Sequence, residues 1–202
     1  MYLLWWVIGV ISYGTGTITE SLNALMGWTE LNFRFWYVSG ALLGGAPLAQ
    51  GTVYLLMKRR TAHILTVVLV TVILIAAVSV FLSPVNASLV VDNTLTGKVL
   101  DWRWVRYFSP FINIYAFIFL AGGAAYSAWK YYGGDRTNKR FLGNILIAIG
   151  ALLPGIGGTF TRFGHVEVLF VTELFGLALI YAGYRVIKTD RSLTIHNAQA
   201  VS

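Results

Sequence analysis

Apolar residues in this chain come in blocks much longer than a soluble helix or strand requires, separated by short polar breaks. The stretch from Ala62 to Leu82 is almost entirely Val, Leu, Ile and Ala. A bilayer span needs roughly 20 mostly apolar residues. The pattern predicts six of them, over about Tyr2 to Met26, Phe33 to Met57, Ala62 to Leu82, Pro110 to Tyr131, Phe141 to Ile156, and Val166 to Ile187. The breaks carry stop signals. Lys58-Arg59-Arg60 closes the second block, Pro84 ends the third, and Gly133 to Arg140 is a polar basic turn. The longest loop runs from Val85 to Asp101, where Asp92-Asn93 and Thr96-Gly97 mark turns between short apolar runs. A small hairpin and an interfacial lid both fit it. Gly157 to Arg162 reads as a loop, and the chain from Lys188 onward as a frayed polar end.

The expected fold is therefore an all-α membrane protein, a six-transmembrane-helix bundle. Residues 1–188 form the bundle, and residues 189–202 form a polar cytoplasmic tail. Composition agrees: 57% of the 202 residues are hydrophobic and 11% are charged, against roughly 25% charged in a soluble domain. So few charges cannot cover a surface that faces water, and lipid is the solvent the pattern implies. Trp5, Trp6, Trp28, Trp36, Trp102, Trp104 and Trp129 fall near the predicted interfaces, where indoles anchor. The start, Met1-Tyr2-Leu3-Leu4-Trp5-Trp6, lacks the positive region and small-residue cleavage site of a signal peptide and reads as a retained helix.

Charge sets the expected orientation. Lys58–Arg60, Lys130, Arg136, Lys139, Arg140, Arg185, Lys188 and Arg191 fall on one side. Arg34, Lys98, Arg103, Arg106 and Arg162 fall on the other. The richer side should be cytoplasmic, which puts both termini inside and implies a multi-pass protein of the cell (inner or plasma) membrane. The net charge of +7 is spread over helix ends rather than gathered in a stripe, so nucleic acid is not an expected partner. The expected partners are the bilayer and other membrane subunits or further copies of the chain.

Glu20 and Glu173 are the leading candidates for chemistry. Each lies within a predicted span, where an ionised carboxylate at mid-depth costs roughly 2.5–3.5 kcal/mol on insertion scales. Such a group needs a partner or a wet cavity. Arg34, Arg103, Arg106 and Arg162 are the expected ion-pair partners. Tyr13, Thr17, Glu20 and Ala24 recur at helical spacing on one face, with Thr15 and Thr19 beside it. That face is a candidate lining for a water-accessible pocket, with Asn23 and Asn113 near it. Gln50 stands one turn after Pro47, where its amide can satisfy a carbonyl freed by the proline.

Other chemistries find little footing. There are no cysteines, so disulfides, thiolate metal sites and iron–sulfur clusters are excluded. His63 and His165 are expected at opposite ends of their helices and cannot hold one haem between them. His165 with Glu167 would be half a metal site at most. No metal and no cofactor is expected. No phosphate-binding loop, nucleophile elbow or zinc-protease motif is present. Gly40 to Gly44 and Ala121 to Ala125 read as small-residue helix contacts. The match of Gly44-Gly45-Ala46 to Gly122-Gly123-Ala124 reads as coincidence between two spans rich in small residues.

Three functions fit. The first is a non-catalytic subunit of a larger membrane assembly or homo-oligomer. The second is a small proton- or ion-coupled transporter or channel. The third is a membrane enzyme acting on lipid or quinone. Small size and missing catalytic motifs favour the first.

Overall fold

The structure is a computed structural model that describes residues 1–91, 93–130, 137–161 and 166–199. Among the described residues it is all-helical and forms no strand; Val85 and Leu100 make one isolated antiparallel bridge. Among the described residues, four helical stretches are long and apolar enough to cross a membrane: Arg59–Leu82, Arg103–Ser127, Phe141–Gly158 and Glu167–Thr189. The chain divides into two compact units, Met1–Ala116 and Phe117–Ser202.

The first unit opens with α1 (Tyr2–Met26), which Gly27 ends at φ 84°, a left-handed backbone position that glycine takes at no steric cost. The buried face of α1 is Gly9, Ser12, Gly16, Thr19 and Asn23, spaced by three and four residues in alternation. Small side chains at that spacing let a neighbouring backbone come close. A Cβ on Gly16 would sit 3.2 Å from Gly40 Cα, and one on Gly9 would press on Leu48. In return, Gly51 of the neighbouring helix leaves room for the Trp6 ring.

The expected second span is not one helix. It starts earlier, at Glu30, and comes in three pieces: α2 (Glu30–Trp36), a π-helical turn (Tyr37–Leu42) and α3 (Ala46–Leu56), with a bend at 43–45. Thr29 caps the start by accepting from Asn32 N. Pro47 lies in the first turn of α3, where its missing N–H is no loss. It therefore begins a helix instead of kinking one, and the break falls at the Gly44-Gly45 pair before it. Gly122-Gly123, by contrast, lies inside an unbroken helix. The two triplets thus have different structures.

The fourth helix, α4 (Arg59–Leu82), carries its apolar side chains outward: Ile64, Val67, Leu74, Ile75 and Val78 are all exposed. Its other face joins Phe33, Leu42, Val99, Leu100 and Val105 in the core. The loop after α4 is a packed cover rather than a hairpin. Beyond the single bridge it consists of short 3-10 turns, at Ala87–Leu89, Gly97–Val99 and Arg103–Tyr107. Asn86 N donates to Val99 O at 2.8 Å and Asp101 N to Pro84 O at 3.0 Å. A Cβ on Gly97 would lie 2.7 Å from the Tyr37 ring. From Phe108 the chain enters α5 (Phe108–Lys130).

The second unit pairs α6 (Thr137–Thr161) with α7 (Val166–Gln199). The pair meets backbone to backbone. A Cβ on Gly150 would lie 2.6 Å from Gly176 O, and one on Gly143 would lie 2.8 Å from Gly183 O. Both helices exceed the expected limits. Residues 157–161, read from sequence as a loop, complete α6, so Pro154 sits inside that helix. Residues 188–199, read as a frayed end, continue α7. Arg162 and His165 lie outside the described residues.

Candidate functional site

The buried polar side chains of the first unit gather along the broken α2–α3 segment. At its start, Arg34 is 8% exposed. Its guanidinium donates to Glu30 Oε1 through Nε at 3.0 Å and Nη2 at 2.6 Å. The same group also donates to Val80 O, and to Ser83 O at 2.9 Å. The last carbonyls of a helix have no partner within it and carry the negative end of the helix dipole. A buried arginine brought from α2 satisfies both needs of α4. Ser83 in turn accepts from Trp102 N at 3.1 Å, which ties the loop cover to the same point.

Glu20 therefore does not find Arg34. Its Oε1 accepts from Trp36 Nε1 at 2.9 Å. Of the four arginines expected as possible partners, Arg34 is held by Glu30, four residues before it, and an indole meets Glu20 instead. Arg103 and Arg106 lie exposed in the 3-10 turn, and among the described residues neither forms an ion pair. Glu173 is half-buried in α7 of the second unit.

The expected wet face of helix 1 also turns out differently. Tyr13, Thr17 and Ala24 are exposed, and the buried face is the glycine–serine stripe. Thr17 donates to Tyr13 O at 3.2 Å, Thr15 to Ile11 O at 2.9 Å and Ser21 to Thr17 O at 2.9 Å. Hydroxyls bonded to their own helix need no cavity. Near the end of α1, Asn23 Nδ2 donates to Asn93 O at 2.6 Å and Asn32 Nδ2 to Thr19 O at 2.8 Å. Asn93 holds φ 54° to reach there. Buried beside it, Asn23 Oδ1 and Trp28 Nε1 have no hydrogen-bond partner among the described residues.

At the break, the Ala41 carbonyl is taken by α5. Ser109 Oγ donates to it at 3.1 Å, and Asn113 Nδ2 donates to it at 3.5 Å and to Ser109 Oγ at 3.2 Å. Asn113, expected to line a pocket by helix 1, serves the interrupted helix instead. Gln50 was expected to repair a proline kink, and it too has other partners. It is fully buried. Its Nε2 donates to Thr66 Oγ1 at 2.7 Å and to Ala62 O at 3.1 Å, and its Oε1 accepts from the Tyr115 hydroxyl. Thr66 Oγ1 lies 3.0 Å from the Tyr54 hydroxyl, which lies 2.9 Å from His63 Nδ1. A continuous chain thus runs from exposed His63 through Tyr54, Thr66 and Gln50 to Tyr115, crossing α4, α3 and α5.

Of these five residues, Gln50 alone stands out in the sequence as a candidate, by its place after Pro47. Tyr54 and His63 are spaced as ordinary end-of-helix residues, and only the rotation of α3 against α4 turns them toward each other. The chain was also compared with protein-family models, curated proteins and solved structures. It matches none of them.

Proposed function

We propose that the chain is an integral protein of the cell membrane that crosses it six times with both termini on the cytoplasmic side. In this reading it acts as a small proton- or ion-coupled transporter or channel. Four helices have the length and composition to span. The 25 residues of α1 reach about 37 Å at 1.5 Å each, and the α2–α3 segment supplies the sixth crossing. The excess of Lys and Arg at the Lys58–Arg60, Lys139–Arg140 and Arg185–Lys188 ends supports the orientation.

The observation that carries the transport reading is the interruption of the second span. Irregular backbone at membrane depth is tolerated where it is buried in protein or lines a cavity. Discontinuous helices are a recurring means of forming ion and substrate sites, and π-helical turns cluster at functional positions. Here the π turn, the bend at 43–45 and the Ala41 carbonyl held by Ser109 and Asn113 lie between the Glu20–Trp36 contact and the Gln50 chain. The test is flux into liposomes holding the purified full chain, under imposed pH and cation gradients. Uptake above empty liposomes is expected, with loss in Glu20→Gln at unchanged helicity and melting. Absence of flux for protons, Na+ and K+ in both directions overturns the reading.

One observation favours the subunit reading. Gly122 of α5 is exposed with no atom within 4 Å of a Cβ built on it, and Ala125, one turn on, is exposed too. A helix of another chain or copy can approach there. In that case Gly122→Leu would reduce the size of the complex extracted in mild detergent while leaving flux unchanged.

A further inference from the structure

The hydrogen-bond chain beginning at His63 has two self-consistent proton arrangements on one set of heavy atoms, and the difference between them reaches the buried amide of Gln50. Thr66 has one hydroxyl proton and two acceptors within reach, Tyr54 Oη at 3.0 Å and Ala62 O at 2.8 Å. With His63 Nδ1 bare, Tyr54 donates to it and Thr66 donates to Tyr54. With His63 charged, both ring nitrogens are donors. Nδ1–H then donates to Tyr54, Tyr54 donates to Thr66 Oγ1, and Thr66 turns its proton to Ala62 O.

That carbonyl is also an acceptor for Gln50 Nε2, at 3.1 Å. In the charged arrangement the Thr66 hydroxyl competes with Gln50 for it, so the amide at the centre of the unit senses whether a proton is bound at its edge. The rearrangement goes no further. An amide cannot pass a proton along by turning, and Tyr115 donates to Gln50 Oε1 in both arrangements.

We propose that His63, Tyr54 and Thr66 form a proton-binding site whose occupancy is transmitted to Gln50 by reversal of two hydroxyl groups. This rests on the transport reading only for the side from which the proton arrives, the cytoplasmic one. His63 is exposed while Gln50 is not, and its place beside Lys58, Arg59 and Arg60 at the start of α4 sets it at the helix end, where protons can exchange with water. Among the described residues, the charged groups on its own helix at that end are Lys58, Arg59 and Arg60. From α3, packed against it, Tyr54 is the titratable group facing the ring, edge-on at a centroid distance of 5.4 Å.

The experiment follows the side-chain amide of Gln50 and the imidazole of His63 by nitrogen-15 NMR, in the solubilised full chain, over a pH series from about 5 to 8. The Gln50 Nε2 protons are expected to shift in step with the His63 ring. Thr66→Val should abolish that step while His63 still titrates, Thr66→Ser should restore it, and Tyr115→Phe should leave it in place. A Gln50 signal that stays flat while His63 titrates in the wild-type chain overturns the proposal, as does a step that survives Thr66→Val. Absence of flux with a responsive Gln50 sinks the transport reading alone. Flux with an unresponsive Gln50 sinks this inference alone.

Discussion

The two compact units hold their helices together by different means. In residues 1–116 the close glycine packing of α1 is joined by side-chain hydrogen bonds: Arg34 on the carbonyls of α4, Ser109 and Asn113 on Ala41, and Gln50 between Thr66 and Tyr115. In the second unit, α6 and α7 meet through paired glycines, Gly150 against Gly176 and Gly143 against Gly183. Where lipid is the solvent, apolar side chains gain little by leaving it. Association then rests on close backbone packing or on polar groups that lipid cannot satisfy. The first unit combines both, the α1 glycines with the polar contacts, and the second shows the paired glycines. The glycine pair is a matter of shape and has nothing to titrate or reorient. Residues 1–116 contain the interrupted helix and the buried hydrogen-bond chains described above, which give a change of state something to act on.

The comparison breaks most sharply at the glycines. Gly150→Leu puts a side chain where even a Cβ would lie 2.6 Å from Gly176 O. Backbone contacts cannot yield as a flexible side chain does, so the cost belongs at the upper end of overpacking, about 3 kcal/mol. Thermal unfolding should show it, and a melting temperature within a degree of wild type would mean that the pair is not close-packed. Next comes Arg34→Met, which leaves Val80 O and Ser83 O without their donor. Hydrogen bonds to a charged group carry roughly 1.5–3 kcal/mol, and Glu30, whose side chain is 56% exposed, is left to water at little cost. A loss of about 2 kcal/mol is expected, with faster proteolysis of the 83–107 loop. Equal proteolysis in both proteins would show that the loop stands without the clamp. The smallest effect should be that of Thr17→Val. Among the described residues this hydroxyl bonds only within its own helix, at an exposed site, so a change below about 0.5 kcal/mol is expected. A larger loss would show that the exposed face of α1 is a contact surface.

Much of this fold is written in the length of its apolar blocks. The expected bounds of α1 match Tyr2–Met26, and the third block ends at Leu82 as expected. The interruption of the second block was less legible. Its proline drew attention to position 47, but a proline in a first turn starts helices, and the glycines before it decide where the chain bends. Glu20 stood out in the sequence as a carboxylate within a span, and its Oε1 accepts from Trp36 Nε1. That the partner is Trp36 follows from the prior claim of Glu30 on Arg34, an i,i+4 pair visible in the sequence. The spacing of Gly143, Gly150 and Gly157, seven residues apart, is the signal of the α6–α7 seam in the sequence. The His63 chain had no such signal, because it depends on how three helices are turned about their axes.

The Arg34 clamp also has a bearing on the order of events during synthesis. The arginine and its glutamate leave the ribosome before the α4 carbonyls they serve, so the end of that helix emerges to a donor already in place. The carbonyl of Ala41 has the opposite history, since Ser109 and Asn113 follow it by some seventy residues. A nascent chain halted before Ser109 has its first clamp available and its interrupted helix still open. Closure of residues 1–116 is therefore a late event, completed only when the start of α5 arrives.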